Sequence, residues 1–211
     1  MGLVVGFVPG VTLAKWRAIW RDRLPRVPLA VLQVAEADAR GVLDSGEADL
    51  CFVRLPVDTT GLHAIRLWEE TPVAWVAKDH PIALDESVTL ADLAGETVLD
   101  AVDDDALSRV AAGDAVLRVP QSVARSHSRR DLAHRPVTDA EPTTIALLWR
   151  VGDDNPLIDE FVGIVRGRTA NSSRTARERS RHASLPLTAR PRDHSEPTRG
   201  RGRRGRQGRH G

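Results

Sequence analysis

Cysteine is nearly absent from this chain, which has a single one, Cys51, among its 211 residues. Because one cysteine cannot form an internal disulfide, covalent cross-links do not hold the fold together, and a reducing compartment is expected. Cys51 itself lies in an apolar run and is predicted to be a buried, inert thiol. Long hydrophobic runs are missing as well, since no stretch approaches the ~20 apolar residues that cross a bilayer. With no basic segment and signal-type core at the N-terminus, we expect a cytoplasmic protein without a membrane partner.

The sequence signatures of common enzymes are also missing. Gly6 and Gly10 form neither a dinucleotide-binding fingerprint nor a phosphate-binding loop, and the chain contains no Gly-x-Ser-x-Gly elbow. The histidines show no metal-ligand spacing. Consecutive acids in Asp103–Asp105 face different directions, so we interpret them, together with Asp100, as a solvated loop and not as a carboxylate site. The sequence thus predicts a protein that is not an enzyme and that holds neither a metal nor a cofactor.

Alternating strand and helix patterns dominate the first 55 residues. Leu3–Val8 is an almost continuous apolar run, typical of a strand that is buried on both faces of a sheet. Pro9-Gly10 ends this run, and Thr12 can then serve as the N-cap of a helix whose apolar residues recur every three or four positions. Further strands are predicted at 29–34 and 48–55, with a short helix between them. This order implies parallel strands with right-handed crossovers, and such sheets bind ligands beyond the carboxyl ends of their strands.

The remainder of the body indicates a second lobe and a return to the first. Strands are predicted at 73–77, 97–99, 115–119 and 143–149, and helices at 89–93, 106–112 and 121–126. Before the strand at 143–149 the chain runs through a predicted loop with several basic side chains, Arg125, His127, Arg129 and Arg130. Pro156 opens a last amphipathic helix, which we expect to pack on the first lobe.

Charge divides the chain sharply. Residues 171–211 contain twelve arginines and three acidic residues, a net charge of +9, so residues 1–170 carry −8 of the chain's total of +1. This tail has almost no apolar residues and is predicted to be disordered. Arg/Gly-rich segments attract phosphate backbones without reading sequence, which makes nonspecific nucleic acid a candidate partner. The arginines that would make these contacts are Arg199, Arg201, Arg203, Arg204, Arg206 and Arg209. The alternative is a solubilising extension that has no specific partner or that pairs loosely with the acidic body of the chain.

Six short segments, taken in order along the chain, resemble the effector-binding domain of LysR-type transcriptional regulators. The segments are Leu3-Val4-Val5-Gly6-Phe7, Gly46-Glu47-Ala48-Asp49-Leu50, Gly61-Leu62 ahead of Leu67, Lys78-Asp79-His80-Pro81, Val110-Ala111-Ala112-Gly113 and Val119-Pro120-Gln121-Ser122-Val123-Ala124. Residues 151–169 are similar to the ending of an actinobacterial branch of this family. The resemblance covers residues 3–174.

The resemblance implies an α/β, two-lobed fold like that of the type II periplasmic binding proteins, with a small effector held between the lobes. Lobe I would comprise residues 2–71 and 145–170, and lobe II residues 72–144, followed by the disordered tail at 171–211. Lobe II is expected to be shortened between Leu99 and Ala106. The chain also starts at the first strand of the domain, without the winged helix-turn-helix with which the family reads DNA.

In this family the effector contacts come from three loops, each of which follows a strand. Carried over to this sequence, the contact residues are Gly10, Val11 and Thr12; Arg54, Leu55 and Pro56; and Pro120, Gln121 and Ser122. Backbone N–H groups at a helix start and the Thr12 hydroxyl suit a carboxylate, and Arg54 suits the same anion as a bidentate partner. The simpler alternatives are a plain N-cap role for Thr12 and a solvated charge at Arg54.

The function that the resemblance implies is sensing of a small, anionic metabolite in the control of transcription. The partners would be this effector and either further copies of the chain, as a homo-oligomer, or a full-length LysR-type regulator. Two alternatives remain at this point. In the first, the chain would be a nucleic-acid-associated protein that acts through its Arg/Gly-rich tail. In the second, it would be a regulator fragment that modulates a full-length partner without any ligand.

Overall fold

The structure is a computed structural model that describes residues 2–127 and 129–168, and in these residues the chain is a mixed α/β protein built on two sheets. The strands are β1 (Leu3–Phe7), β2 (Leu29–Gln33), β3 (Leu50–Arg54), β4 (Leu62–Glu70), β5 (Pro72–Ala77), β6 (Val98–Leu99), β7 (Val116–Pro120), β8 (Leu132–Pro136) and β9 (Thr143–Arg150). The α-helices are α1 (Ala14–Arg23), α2 (Gly41–Asp44), α3 (Asp104–Ala112), α4 (Gln121–Ser126) and α5 (Pro156–Val165), and short 3-10 helices span Glu36–Asp38 and Pro81–Leu84. None of these helices is long and apolar enough to cross a membrane.

The first sheet has the strand order β2-β1-β3-β9-β4. β1 pairs in parallel with both β2 and β3, which confirms the parallel arrangement predicted from the strand–helix–strand pattern. β9 then lies antiparallel between β3 and β4, so the sheet as a whole is mixed. Because β1 and β3 are parallel neighbours, the turn after β1 and the loop after β3 leave the sheet at the same edge.

Two strands, β4 and β8, are not indicated by the sequence pattern. The residues of β4 mix polar and apolar side chains, and its pairing with β9 shifts between Arg66 and Trp68. A bulge of this kind interrupts the period of two by which a strand is recognised. β8 lies in the segment predicted as a loop, where His134 and Arg135 precede Pro136 at the sheet edge.

The second sheet has the strand order β6-β7-β5-β8, with β5 buried along its whole length. β5 pairs antiparallel with both β7 and β8. The chain leaves the first sheet at Glu70 and returns to it at Thr143. These two residues are paired neighbours in β4 and β9, so the two connections between the sheets lie side by side.

The core of the first sheet is closed by α5. Phe161 of this helix lies 5.9 Å from Trp20 of α1 and 6.3 Å from Phe52 of β3, measured between ring centroids. Trp16 stacks on Phe52 at 4.8 Å. The return of the last helix to the first sheet, predicted from its amphipathic pattern, is therefore confirmed. Cys51 is buried in the same core, as predicted, and burial raises the pKa of its thiol to about 12.

Two helix starts differ from the sequence prediction. α1 has Leu13 as its N-cap residue, without a side-chain hydrogen bond, and Thr12 lies exposed before it, so the N-cap role predicted for Thr12 is wrong. α3 starts after Asp103, whose carboxylate accepts a hydrogen bond from the Ala106 N–H at 2.7 Å. The acidic residues are exposed to solvent, as predicted, but Asp103 caps a helix and Asp104 and Asp105 lie in its first turn, so the prediction of a loop at these positions is wrong.

The helix predicted at 89–93 is a series of turns. Its main-chain hydrogen bonds, such as that from Leu93 N–H to Leu90 O at 3.2 Å, join residues three positions apart. The N-cap signal at Thr89 is nevertheless used, because its hydroxyl oxygen accepts from the Asp92 N–H at 3.3 Å, and its own N–H donates to Asp92 Oδ2 at 2.7 Å. The segment thus starts as a helix would and ends before a full α-helical turn is closed.

Candidate functional site

Two of the three predicted effector loops meet across the gap between the sheets. The turn after β1 brings Gly10 so close to the start of α4 that a Cβ on Gly10 would lie 2.4 Å from Ser122 Oγ and 2.9 Å from Val123 N. Gly10 also has a φ of +88°, a conformation that L side chains rarely adopt. Two features therefore require glycine at position 10: the positive backbone angle φ and the close approach of α4.

Main-chain hydrogen bonds fix the turn after β1. Val8 N–H donates to Phe52 O at 3.1 Å, which continues the pairing with β3, and Val11 N–H donates to Val8 O at 3.3 Å. The Val11 side chain is 4% exposed and packs in the core, and its predicted contact with a ligand stays a prediction. Thr12 is exposed, and neither it nor Gly10 makes a hydrogen bond to the described part of the chain. The donors that this turn presents are therefore the Gly10 and Thr12 N–H groups and the Thr12 hydroxyl.

The contact between Gly10 and Ser122 lies between two cavities. The crossing-side cavity, of about 440 Å³, is lined by Gly10, Thr12, Trp68, Glu69, Glu70, Thr71, Gln121, Ser122, Arg125 and Ser126. The β2-side cavity, of about 330 Å³, is lined by Phe7, Pro9, Gly10, Val11, Thr12, Gln33, Val102, Val123, Ser126 and His127. Both volumes are at the small end of ligand sites, which suits a metabolite of few atoms.

Ser122 carries a buried hydroxyl without a partner. Its Oγ is shielded from water and forms no hydrogen bond within the described residues. The neighbouring Gln121 N–H donates to Thr71 O at 3.0 Å, so the start of α4 is tied to the connection between the sheets. A buried hydroxyl without a hydrogen bond costs about 1–3 kcal/mol, which makes Ser122 a group that gains from a new partner.

Arg54 is buried beneath the turn after β1. Its side chain is 5% exposed, and its Nε and Nη2 donate to Glu70 Oε2 at 3.1 and 2.8 Å. Nη1 donates to Glu36 Oε1, and Nη2 also donates to Pro9 O at 3.2 Å. The alternative of a solvated charge at Arg54 is therefore wrong. In this structure the donors that the sequence analysis assigns to a ligand anion serve two carboxylates of the chain itself.

The remaining predicted residues, although described by the structure, line neither of the two cavities at Gly10. Leu55 is half-buried and its N–H donates to Thr144 O at 2.9 Å, while Pro56 is exposed. Pro120, the last residue of β7, lines a separate cavity of about 320 Å³. Of the third loop, only Gln121 and Ser122 are therefore brought to the same place as Gly10 and Thr12.

The structure adds residues that the sequence analysis did not assign to the site, among them His127 and Arg125. His127 Nδ1 lies 3.0 Å from Val123 O, and because a carbonyl only accepts, Nδ1 is the donor in this contact. Burial and then the charge of Arg125 lower the pKa of His134 on β8. The sequence places both basic residues near α4 but gives no sign that α4 meets the turn after β1.

The chemistry that this arrangement offers is reversible binding. Hydrogen-bond donors from two loops face apolar walls formed by residues such as Phe7, Trp68 and Val123. Within residues 2–127 and 129–168, no group of three or more His, Cys, Asp or Glu side chains is placed to hold a metal ion. The predicted disorder of the tail and its predicted nucleic-acid contacts, Arg199 to Arg209, lie outside the described residues.

Comparison with known proteins places this geometry in context. Residues 3–108 match the family described as LysR substrate binding domain. The HTH-type transcriptional regulator CatR of Pseudomonas putida is 29% identical over 168 residues, which cover 65% of this chain and 56% of that protein. The Hca operon transcriptional activator HcaR of Escherichia coli is 23% identical over 203 residues, covering 80% of this chain and 68% of that protein. The chain thus spans little more than half the length of CatR.

Solved structures show the same fold. The effector binding domain of a BenM variant superposes with a TM-score of 0.67 at 20% identity, covering 82% of this chain and 96% of that one. The oxidized form of OxyR superposes with a TM-score of 0.66 at 22% identity, covering 80% of this chain and 95% of that one. The two-sheet α/β architecture predicted for the body of the chain is therefore confirmed.

Proposed function

This chain belongs to the LysR substrate-binding domain family, and on that premise we propose that it senses a small, anionic metabolite, bound between its two sheets, in the control of transcription. The single observation that carries the proposal is the meeting of Gly10 and Thr12 with Gln121 and Ser122 in the lining of the crossing-side cavity. These residues come from elements more than a hundred positions apart, and Gly10 and Thr12 present donors that have no partner within the described residues.

An anionic ligand suits the donors that face the cleft. The Gly10 and Thr12 N–H groups and the Thr12 hydroxyl can all donate to a carboxylate oxygen. Arg125 lines the crossing-side cavity and adds a positive charge there. Because hydrogen bonds to ionised acceptors are roughly twice as strong as neutral ones, an anion gains more from this set than a neutral molecule does.

The binding event is transmitted by the lobes. We take lobe I as residues 2–71 and 145–170 and lobe II as residues 72–144, so that the ligand bridges them at Gly10 and Ser122. A ligand that prefers one arrangement of the lobes shifts the population toward it, and this shift is what a partner can read. The partner is a second copy of the chain or a full-length regulator of the same family, in the cytoplasm.

A thermal-shift screen of the full chain against small organic acids and amino-acid-like metabolites tests the proposal. A ligand that binds only the folded state raises the melting temperature, and the rise should saturate with concentration. Replacing Thr12 by Val should weaken the binding of such a compound by about 1–3 kcal/mol. Thr97→Val is the matched control, since Thr97 is also exposed but lies before β6, outside both cavities. A cooperative melt that no compound shifts would contradict the proposal and favour a ligand-free module that modulates a partner.

A further inference from the structure

The guanidinium of Arg54 is shared by two carboxylates of the chain. Glu70, at the end of β4, accepts from Nε and Nη2, and Glu36, in the 3-10 helix after β2, accepts from Nη1. The Pro9 carbonyl accepts a further hydrogen bond from Nη2 and thereby ties the turn after β1 to the same group. We call Arg54, Glu36 and Glu70 the Arg54 network. It contains one positive and two negative charges, so one carboxylate is in excess.

The two carboxylates differ in how firmly they are held. The Glu70 side chain is 6% exposed and accepts two hydrogen bonds from Arg54, whereas the Glu36 side chain is 50% exposed and accepts one. Breaking a buried ion pair is strongly destabilising, while exposed partners contribute little. Glu36 is therefore the carboxylate that can leave, and its departure opens the Nη1 edge of Arg54 to solvent.

We propose that the Nη1 edge of Arg54 is an anion site, occupied here by Glu36 as a tethered carboxylate, and that an effector carboxylate binds to it by displacing Glu36. This inference rests on the proposed function and specifies how the anion is recognised. It assigns Glu36, which lies outside the three effector loops of the sequence analysis, as a residue that sets the affinity for anions.

The charge of the Arg54 network requires that a ligand anion replace Glu36 and not bind beside it. A ligand anion that approached Arg54 with Glu36 in place would be the third carboxylate around one guanidinium, and like charges at this distance repel. A ligand that replaces Glu36 leaves the net charge of the network unchanged. Arg54 then keeps its contacts with Glu70 and Pro9, and only the Nη1 partner is different.

Displacement of Glu36 also has a structural consequence at the edge of the first sheet. Glu36 begins the 3-10 helix that directly follows β2, and β2 is an edge strand. The helix is closed by few hydrogen bonds, such as that from Ala39 N–H to Glu36 O at 3.4 Å. Release of the Glu36 side chain from Arg54 therefore frees this segment. Ligand binding thereby changes the structure at the β2 edge of the first sheet.

Titration of the full chain with sodium acetate and sodium succinate at constant ionic strength tests the exchange. The readouts are the dissociation constant and the ¹⁵N-resolved signal of the Arg54 Nε–H group. Glu36→Gln removes the competing charge with little change in shape, so anions should bind this variant at least about tenfold more tightly than the native chain. Binding should shift the Arg54 signal in both proteins. Glu47→Gln is the matched control, because Glu47 is an exposed glutamate away from Arg54, and it should bind as the native chain does.

Three results would overturn the exchange. Equal or weaker anion binding by Glu36→Gln would show that Glu36 does not compete. Binding that leaves the Arg54 signal unmoved would place the anion elsewhere, and the proposed sensing function would then stand without this site. Absence of anion binding to both proteins would reject the exchange, and the metabolite screen would decide the proposed function separately.

Discussion

Gly10 and Ser122 touch across the gap between the two sheets, with the position of a Gly10 Cβ only 2.4 Å from Ser122 Oγ. The same position is 2.9 Å from Val123 N and 3.0 Å from Ser122 C. Rotation of the serine side chain cannot relieve these last two contacts, because they involve backbone. The distance between the sheets at this point is therefore set by the absence of a side chain at residue 10.

Replacement of Gly10 by Ala should lower the free energy of unfolding and push α4 away from the turn after β1. Gly152→Ala is the matched control, since Gly152 has a similar φ of +80° but open space at its Cβ position. Both variants bear the cost of a left-handed backbone, about 1–2 kcal/mol, and only Gly10→Ala adds overpacking of about 1–3 kcal/mol. Urea denaturation of both variants measures the difference, and equal losses would show that the two sheets separate freely at Gly10.

Replacement of Ser122 by Ala should leave the free energy of unfolding unchanged or raise it by about 1 kcal/mol, because it removes a buried hydroxyl that has no hydrogen bond. Ser126→Ala is the comparison, since Ser126 Oγ donates to Val123 O at 2.7 Å and its loss should cost about 1 kcal/mol. Thermal denaturation without ligand distinguishes the two. A larger loss for Ser122→Ala than for Ser126→Ala would mean that the Ser122 hydroxyl is satisfied in solution.

Breaking the buried pair of Arg54 and Glu70 should be among the most destabilising charge changes in the chain. Glu70→Gln leaves the guanidinium without its buried partner and should lower the free energy of unfolding by roughly 3–5 kcal/mol. Asp131→Asn, which breaks the exposed pair with Arg129, should lower the free energy of unfolding far less, because solvent screens this pair. Chemical denaturation measures both losses. If they prove equal, the Arg54 pair is solvated and the burial argument for it fails.

Cys51 should be unreactive while the chain is folded. Its side chain is fully buried and its pKa is raised to about 12, so almost no thiolate is present at neutral pH. A colorimetric thiol reagent should give no signal with the native chain and one thiol per chain in denaturant, since Cys51 is the single cysteine. Fast reaction under native conditions would show that the strand pair β1–β3 opens readily.

Local patterns in the sequence were enough to predict the parallel strands of the first sheet and the docking of α5. The strand–helix–strand order fixes the direction of β1, β2 and β3, and the apolar period of α5 fixes the face that it buries. The order of the six family segments along the chain predicted the two-lobed architecture, which the hydrophobic period alone does not predict.

The environment of Arg54 could not be predicted in the same way. Its carboxylate partners, Glu36 and Glu70, are 18 and 16 residues away in sequence, and they meet it only because β4 lies at the sheet edge and the 3-10 helix lies beside the turn. β4 is concealed by its bulge, so the position of Glu70 was unknown. Likewise, nothing in the local sequence predicts that Ser122 approaches Gly10. A contact between residues more than a hundred positions apart in sequence depends on how the two sheets are joined.

Glu70 and Thr143, paired across β4 and β9, make the second sheet an insertion between two neighbouring strands of the first. The inserted residues can be lengthened, trimmed or exchanged during evolution while every hydrogen bond of the five-stranded sheet is kept. Such modularity lets the Gly10 side of the cleft stay constant as the Ser122 side diversifies. One wall of the cleft can therefore change in sequence while the strand pairing of the other is kept.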